Sequence, residues 1–184
     1  MLPAYPYTER TMNEQGNYRL FLNFSIDKLQ QLASRIDTCV SQLSDLQVWT
    51  RGSENENAVG NLVLHLCGNV RQWIIASIGG EPDDRQRDRE FSARAGADKA
   101  ELRQRLSSAV RQATAVIDGV REQRLADRLT IQGFEVSVLE AIYHVVEHFA
   151  MHTGQIIFIT KMLTRSDLGF YRDLSSAAQQ NQVP

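Results

Sequence analysis

The sequence predicts an all-α protein built as a four-helix bundle, and three observations support this fold class. Four stretches repeat apolar residues at alternating steps of three and four, the period of a helix with one buried face. Apolar stripes of this kind, called seams below, favour angles of about 20° between packed helices and therefore an elongated bundle. The chain also contains no P-loop, dinucleotide-binding glycine pattern or nucleophile-elbow motif that would indicate an α/β enzyme.

Length and composition favour one globular domain over residues 1–184, because 184 residues can bury a substantial core. A formal net charge of −2 without a concentrated basic run argues against a nucleic-acid partner. No apolar stretch approaches the roughly 20 residues of a membrane span. The first residues lack the pattern of a secretory signal, so we expect a cytoplasmic protein. In that reducing compartment the two cysteines are expected to pack as small apolar residues.

The first two predicted helices cover residues 17–44 and 54–79, after an irregular lead-in. The seam of the first consists of Leu22, Ile26, Leu29, Ala33, Ile36, Val40 and Leu43. A capping pair, Ser53 and Glu56, predicts the start of the second, with Asn57 as a competing cap. The second helix is apolar around most of its circumference, and its narrow polar gap lines either solvent or a wet internal cleft. That gap contains Asn61, His65, Gly68, Asn69 and Gln72.

A charged stretch without helical period, residues 81–97, predicts a long connection after the second helix. Fully extended it could span some 55 Å, more than the roughly 35 Å of that helix, so a crossover between helices two and three is allowed. Capping pairs then predict a third helix over 98–120 and a fourth over 137–164. A short hairpin or tight turn about Gly133 precedes the fourth helix, and residues 165–184 form a tail.

The fourth predicted helix carries three of the four histidines of the chain, His144, His148 and His152. Residues four apart lie on nearly the same helix face, so two of these imidazoles can hold one metal ion. The apolar seam places His152 within the buried stripe and His148 about 70° from its centre, whereas His144 lies about 110° away. We therefore predict His148 and His152 as the inward pair, with His144 in a second shell, a cleft wall or the surface.

His65 is the remaining histidine, and it lies in the polar gap of the second helix. Three neutral imidazoles with an open position form a catalytic or sensing site more often than a structural one, and they suit zinc, nickel, copper or cobalt. Asn69 or Gln155 could orient a ligand there. Glu147 points about 100° away from His148 and is not expected to act as a general base.

Three segments are informative together: NAVGNLVLHLCGNVRQWI in helix two, RDREF in the loop and HVVEHFAMHTGQI in helix four. With them, residues 17–174 of the chain resemble the DinB/YfiT-like superfamily of metalloenzymes. The resemblance implies an up-down-down-up four-helix bundle with a nickel or zinc ion on His65, His148 and His152. It also implies a small-molecule substrate, with a low-molecular-weight thiol in some relatives, and a homodimer. Trp49, Trp73, Phe170 and Tyr171 could serve such an interface, although core positions are commoner for them.

Three functions are compatible with this sequence. The first is a metal-dependent enzyme, a thiol-dependent transferase or a hydrolase, in which the metal activates water or a thiol. The second is a non-catalytic metal-binding or stress-response module, whose thermal stability would depend on the metal. The third is a helical interaction domain whose histidines are incidental.

Overall fold

The computed structural model describes residues 16–171 of the chain. The predicted lead-in before Gly16 and the tail beyond residue 171 lie outside this part. In chain order the elements are α1 (Asn17–Gln42), α2 (Asp45–Val48), α3 (Val59–Val70), a π-helical segment that continues α3 (Arg71–Ala76), α4 (Arg87–Ser92), α5 (Lys99–Asp118), a 3-10 helix (Glu122–Ala126), β1 (Arg128–Ile131), β2 (Phe134–Ser137) and α6 (Val138–Thr164). No helix within residues 16–171 combines the length and apolar character that a membrane crossing needs.

The four long helices are α1, α3, α5 and α6, and they form the predicted all-α bundle. α1 and α3 each pack on both α5 and α6, so all four surround one core. The predicted seam of α1 is largely confirmed, since Leu22, Leu29 and Ile36 are fully buried. α1 ends two residues earlier than predicted, and Ser44 then caps the short helix α2 in a capping box with Gln47.

Side-chain contacts define the helix directions. Arg103 near the start of α5 bonds Asp37 near the end of α1 at 2.6 Å, so these two helices are antiparallel. Gln47, just past α1, donates to the Leu163 carbonyl near the end of α6 at 3.4 Å, so α1 and α6 run in parallel.

α3 and α6 are antiparallel. His65 contacts His148, and Trp73, in the π-helical segment that continues α3, packs on His144, which comes earlier in α6. Together these contacts give the up-down-down-up order that the family resemblance implies, with the crossover between α3 and α5.

The second long helix begins later than the predicted residue 54. Ser53 and Glu56 do hydrogen-bond each other, at 3.2 Å, but they close a turn before the helix. The helix begins at Val59, where the Asn61 side chain accepts a hydrogen bond from the Ala58 backbone at 3.1 Å. The cap therefore comes from inside the first turn, a position that the S-x-x-E pattern does not reveal.

The long connection after α3 also differs from the prediction, because it contains the short helix α4. Side chains from the α3 side hold it down: Asn61 Nδ2 donates to the carbonyls of Glu90 at 2.8 Å and Ala93 at 2.9 Å. Arg51 Nη2 donates to the same segment, at the Phe91 carbonyl, at 3.1 Å. The charged stretch is therefore packed against the bundle.

The hairpin predicted about Gly133 is confirmed. β1 and β2 pair antiparallel, with Ile131 opposite Phe134. Gln132 and Gly133 both have positive φ, 54° and 82°, as a two-residue hairpin turn of this kind requires. The hairpin stands beside the start of α6, where Ser137 and Glu140 form the predicted capping box.

Candidate metal centre

The three predicted ligands come together between α3 and α6. One ligand atom from each of His65, His148 and His152 lies within 4.8 Å of the others, so these histidines could hold a metal ion. The Nε2 atoms of His65 and His148 are 2.9 Å apart, and the ring centroids of His148 and His152 are 4.4 Å apart. The polar gap of the second helix thus lines an internal site, because His65 is only 5% exposed.

The position of His152 differs from the prediction that placed it within the buried stripe. The buried residue at this turn is Thr153, whose hydroxyl donates to the Phe149 carbonyl at 2.7 Å. Because that hydrogen bond satisfies the hydroxyl, Thr153 can occupy a core position. His152 and His148 are both half-buried on the flank of α6 that faces α3.

A buried carboxylate orients His65. His65 Nδ1 is 2.9 Å from Glu90 Oε2, and the carboxylate accepts the proton that Nδ1 carries. Nε2 of His65 then keeps its lone pair directed toward His148. A histidine whose second nitrogen donates to a carboxylate is the usual arrangement around protein-bound metals.

Arg85 completes this arrangement by pairing with Glu90. Its Nε donates to Oε1 at 2.8 Å, and its Nη2 donates to Oε2 at 2.9 Å. The Arg85 side chain is 3% exposed, so the pair is shielded from solvent. Burial alone would raise the pKa of Glu90, but hydrogen bonds from Arg85 and His65 outweigh it and lower the pKa. Glu90 is therefore ionised at neutral pH.

Gly68 makes room for the carboxylate. A Cβ atom at this position would lie 2.0 Å from Glu90 Oε1 and 3.0 Å from Arg85 Nε. The space that the sequence indicated beside His65 is therefore filled by this ion pair. A glycine is required here because of close packing and not because of its backbone angles.

The imidazoles of α6 are held neutral, which is the form that binds metals. Burial and the neighbouring imidazoles of His152 and His65 lower the pKa of His148 to about 3. Burial also lowers the pKa of His152. His152 Nδ1 contacts Gln155 Oε1 at 2.7 Å, so Nδ1 donates there and Nε2 remains available as a ligand.

A cleft of about 520 Å³ adjoins His65 and His148. Asn69 of α3 and Trp73 of the π-helical segment line this cleft, and residues of the hairpin line it as well. His144 lies on the cleft wall, one of its predicted positions, and its ring packs on Trp73 with centroids 4.0 Å apart. Gln155 is not among the residues that line this cleft. Gln155 contacts His152 instead, and its ligand-orienting role stays a prediction.

Glu90 and Arg85 are the site residues that sequence reasoning missed. Both lie in the charged stretch that is predicted only as a long connection, although Glu90 belongs to the RDREF segment on which the family resemblance partly rests. Phe91, the next residue, packs on the His65 ring with centroids 4.6 Å apart. The sequence signal that could have indicated Glu90 is this pair, an acidic residue followed by an aromatic one within a charged loop.

The fold and the site define the class of protein: a four-helix bundle with a three-histidine cluster between two of its long helices. Over residues 17–177 the chain matches the family described as a protein of unknown function, DUF1572, and it belongs to that family. No curated protein matches.

Two solved structures have similar folds. One is the conserved protein of a locus from Enterococcus faecalis, with a TM-score of 0.66, 16% identity, and coverage of 78% of this chain and 97% of that one. The other is the DinB-like protein YjoA from Bacillus subtilis, with a TM-score of 0.62, 13% identity, and coverage of 80% and 96%.

Proposed function

We propose that the protein is a metal-dependent enzyme whose divalent cation, zinc or nickel, is held by His65, His148 and His152. The observation that carries the proposal is the convergence of one nitrogen from each histidine within 4.8 Å, on two different helices. The donor set fits such an ion, because three imidazole nitrogens converge there and imidazole is a ligand that suits both metals.

The surroundings of the histidines support the same proposal. His65 is oriented by an ionised carboxylate, and His152 is oriented by Gln155. Partners of this kind fix the ring orientation and raise ligand basicity. An incidental histidine cluster has no need of a buried Arg85 and Glu90 pair behind it.

Three protein ligands and an adjoining cleft favour catalysis over a structural role. A structural zinc site is usually closed by four protein ligands, whereas a catalytic site keeps one position open. When bound, the metal supplies a Lewis acid that lowers the pKa of a coordinated water or thiol. The cleft of about 520 Å³ beside His148 has room for a small-molecule substrate.

Neither thiol of the chain is suited to act as the nucleophile at this site. Cys39 and Cys67, the two cysteines of the sequence, do not line the cleft. Burial raises the pKa of Cys67 to about 12 and also raises that of Cys39. The proposal takes a bound water or a low-molecular-weight thiol as the attacking group, which corresponds to a hydrolase or a thiol-dependent transferase. The homodimer implied by the family resemblance stays a prediction.

Metal analysis tests the proposal directly. Protein purified without a metal-affinity tag is expected to contain close to one zinc or nickel ion per chain, and His148→Ala is expected to lose it. His144→Ala is the matched control, since His144 is on the same helix but outside the cluster. Equal metal content in wild type and His148→Ala would contradict the proposal.

A further inference from the structure

Two buried polar atoms on the cleft wall have no hydrogen-bond partner among the described residues. They are Asn69 Oδ1, an acceptor, and Trp73 Nε1, a donor. Asn69 and Trp73 are 3% and 5% exposed, and both line the cleft beside His65 and His148. Buried polar groups in folded proteins are nearly always paired, so an acceptor and a donor left without partners on residues that line one cleft need an explanation.

The backbone at this point is also unusual. Trp73 lies in the π-helical segment Arg71–Ala76, where Ser77 N donates to Gln72 O at 3.1 Å across five residues. Short π segments occur frequently at functional sites. By contrast, the other tryptophan of the chain, Trp49, is fully satisfied, because its Nε1 donates to the Ala97 carbonyl at 2.9 Å.

We infer that Asn69 and Trp73 form a subsite for a ligand that carries a carboxamide group on an apolar body. The carboxamide carbonyl accepts a hydrogen bond from Trp73 Nε1, and its N–H donates to Asn69 Oδ1. A carboxylate fits less well, because it would place negative charge against the Asn69 oxygen. The inference builds on the proposed function, since it names the class of ligand that the same site takes.

The rest of the cleft agrees with a neutral head group on an apolar body. Val136 and Phe134 of the hairpin supply apolar surface, and Phe134 is 63% exposed at the opening. Of the charged groups that line the cleft, Arg85, Glu135 and Glu140 have hydrogen-bond partners, and Arg87 lies over the Phe91 ring. Arg85 donates to Glu90 and Gln72, and Glu140 accepts hydrogen bonds from the Ser137 backbone and hydroxyl.

The indole N–H groups provide the test, because the chain has two tryptophans and therefore two indole signals in a ¹H–¹⁵N spectrum. Trp49→Phe assigns the two signals. Three probes are titrated into metal-free protein: benzamide, acetophenone, which lacks the N–H donor, and benzoate. Benzamide is expected to shift the Trp73 signal and leave the Trp49 signal in place. It should bind roughly threefold to tenfold tighter than acetophenone, the effect of one hydrogen bond, and benzoate should bind more weakly than benzamide.

Asn69→Leu removes the hydrogen-bond acceptor while nearly preserving the size of the side chain. This variant is expected to bind benzamide and acetophenone equally. A Trp73 signal that does not move with benzamide, or wild-type protein without preference for benzamide over both other probes, would overturn the inference. Both readouts are made on wild-type protein, and Trp49→Phe serves only to assign the two signals. Zinc content is measured separately. Zinc binding without a benzamide response defeats this inference alone, whereas a benzamide response without zinc binding defeats the proposed metal centre alone.

Discussion

Replacing Glu90 with glutamine removes the charge that orients His65 while nearly preserving side-chain size. Glu90 Oε2 is 2.9 Å from His65 Nδ1, and losing a partner of this kind typically weakens metal binding by about 10- to 100-fold. That range corresponds to about 1.4 to 2.7 kcal/mol of binding free energy. Competition with a chromophoric zinc chelator at pH 7.5 measures the affinity.

The same substitution leaves Arg85 buried without its ionic partner, since its side chain is 3% exposed. Breaking a buried pair in this way costs about 3–5 kcal/mol of unfolding free energy. The double variant Arg85→Met with Glu90→Gln removes both charges, and it should recover part of the stability in urea but not the zinc affinity.

Glu54→Gln is the matched control, because that side chain is 88% exposed where it meets Arg94. The control is expected to match wild type in both zinc affinity and stability. Wild-type zinc affinity in folded Glu90→Gln protein, or in the double variant, would refute the role assigned to this carboxylate.

Three further predictions concern the same region. Gly68→Ala should lower both zinc affinity and thermal stability, because the added Cβ would lie 2.0 Å from Glu90 Oε1. Gly154→Ala is the comparison, since a Cβ at this exposed helix position would have no atom within 4 Å. It should stabilise the protein by about 0.5–1 kcal/mol, because alanine favours a helix more than glycine does. Equal melting temperatures for the two variants would contradict this. Folding lowers the pKa of Glu90 from 4.5, so its stabilising contribution is complete at pH 7 and is lost as the pH falls through its folded value. The difference in unfolding free energy between wild type and Glu90→Gln, measured in urea, should therefore shrink below pH 4.5. A difference that grows as the pH falls would contradict this prediction. Burial raises the pKa of Cys67 to about 12, so iodoacetamide at pH 8 should modify this partly exposed thiol far more slowly in folded than in unfolded protein, as mass spectrometry can determine.

The histidine cluster could be predicted from the sequence because its information is local. His148 and His152 are four residues apart on one helix, and His65 stands in the polar gap of an otherwise apolar helix. These patterns identify the helix face on which each histidine lies, and the up-down-down-up order of the helices brings those faces of α3 and α6 together.

The second layer of the site could not be predicted in this way. Glu90 and Arg85 reach His65 from a loop, and the contacts that hold the loop depend on Asn61 and Arg51. Such tertiary contacts leave no periodic pattern. His152 was placed too deep for a related reason: the hydrogen bond of Thr153 to a helix carbonyl makes that polar residue suitable for the core.

The most direct test of the metal centre is anomalous scattering at the zinc edge from crystals of zinc-loaded protein. The expected result is one peak between α3 and α6, about 2.0–2.1 Å from a nitrogen of each of His65, His148 and His152, with its remaining position open toward the cleft. A peak elsewhere, or histidines that stay apart in zinc-saturated crystals, would contradict the proposed site.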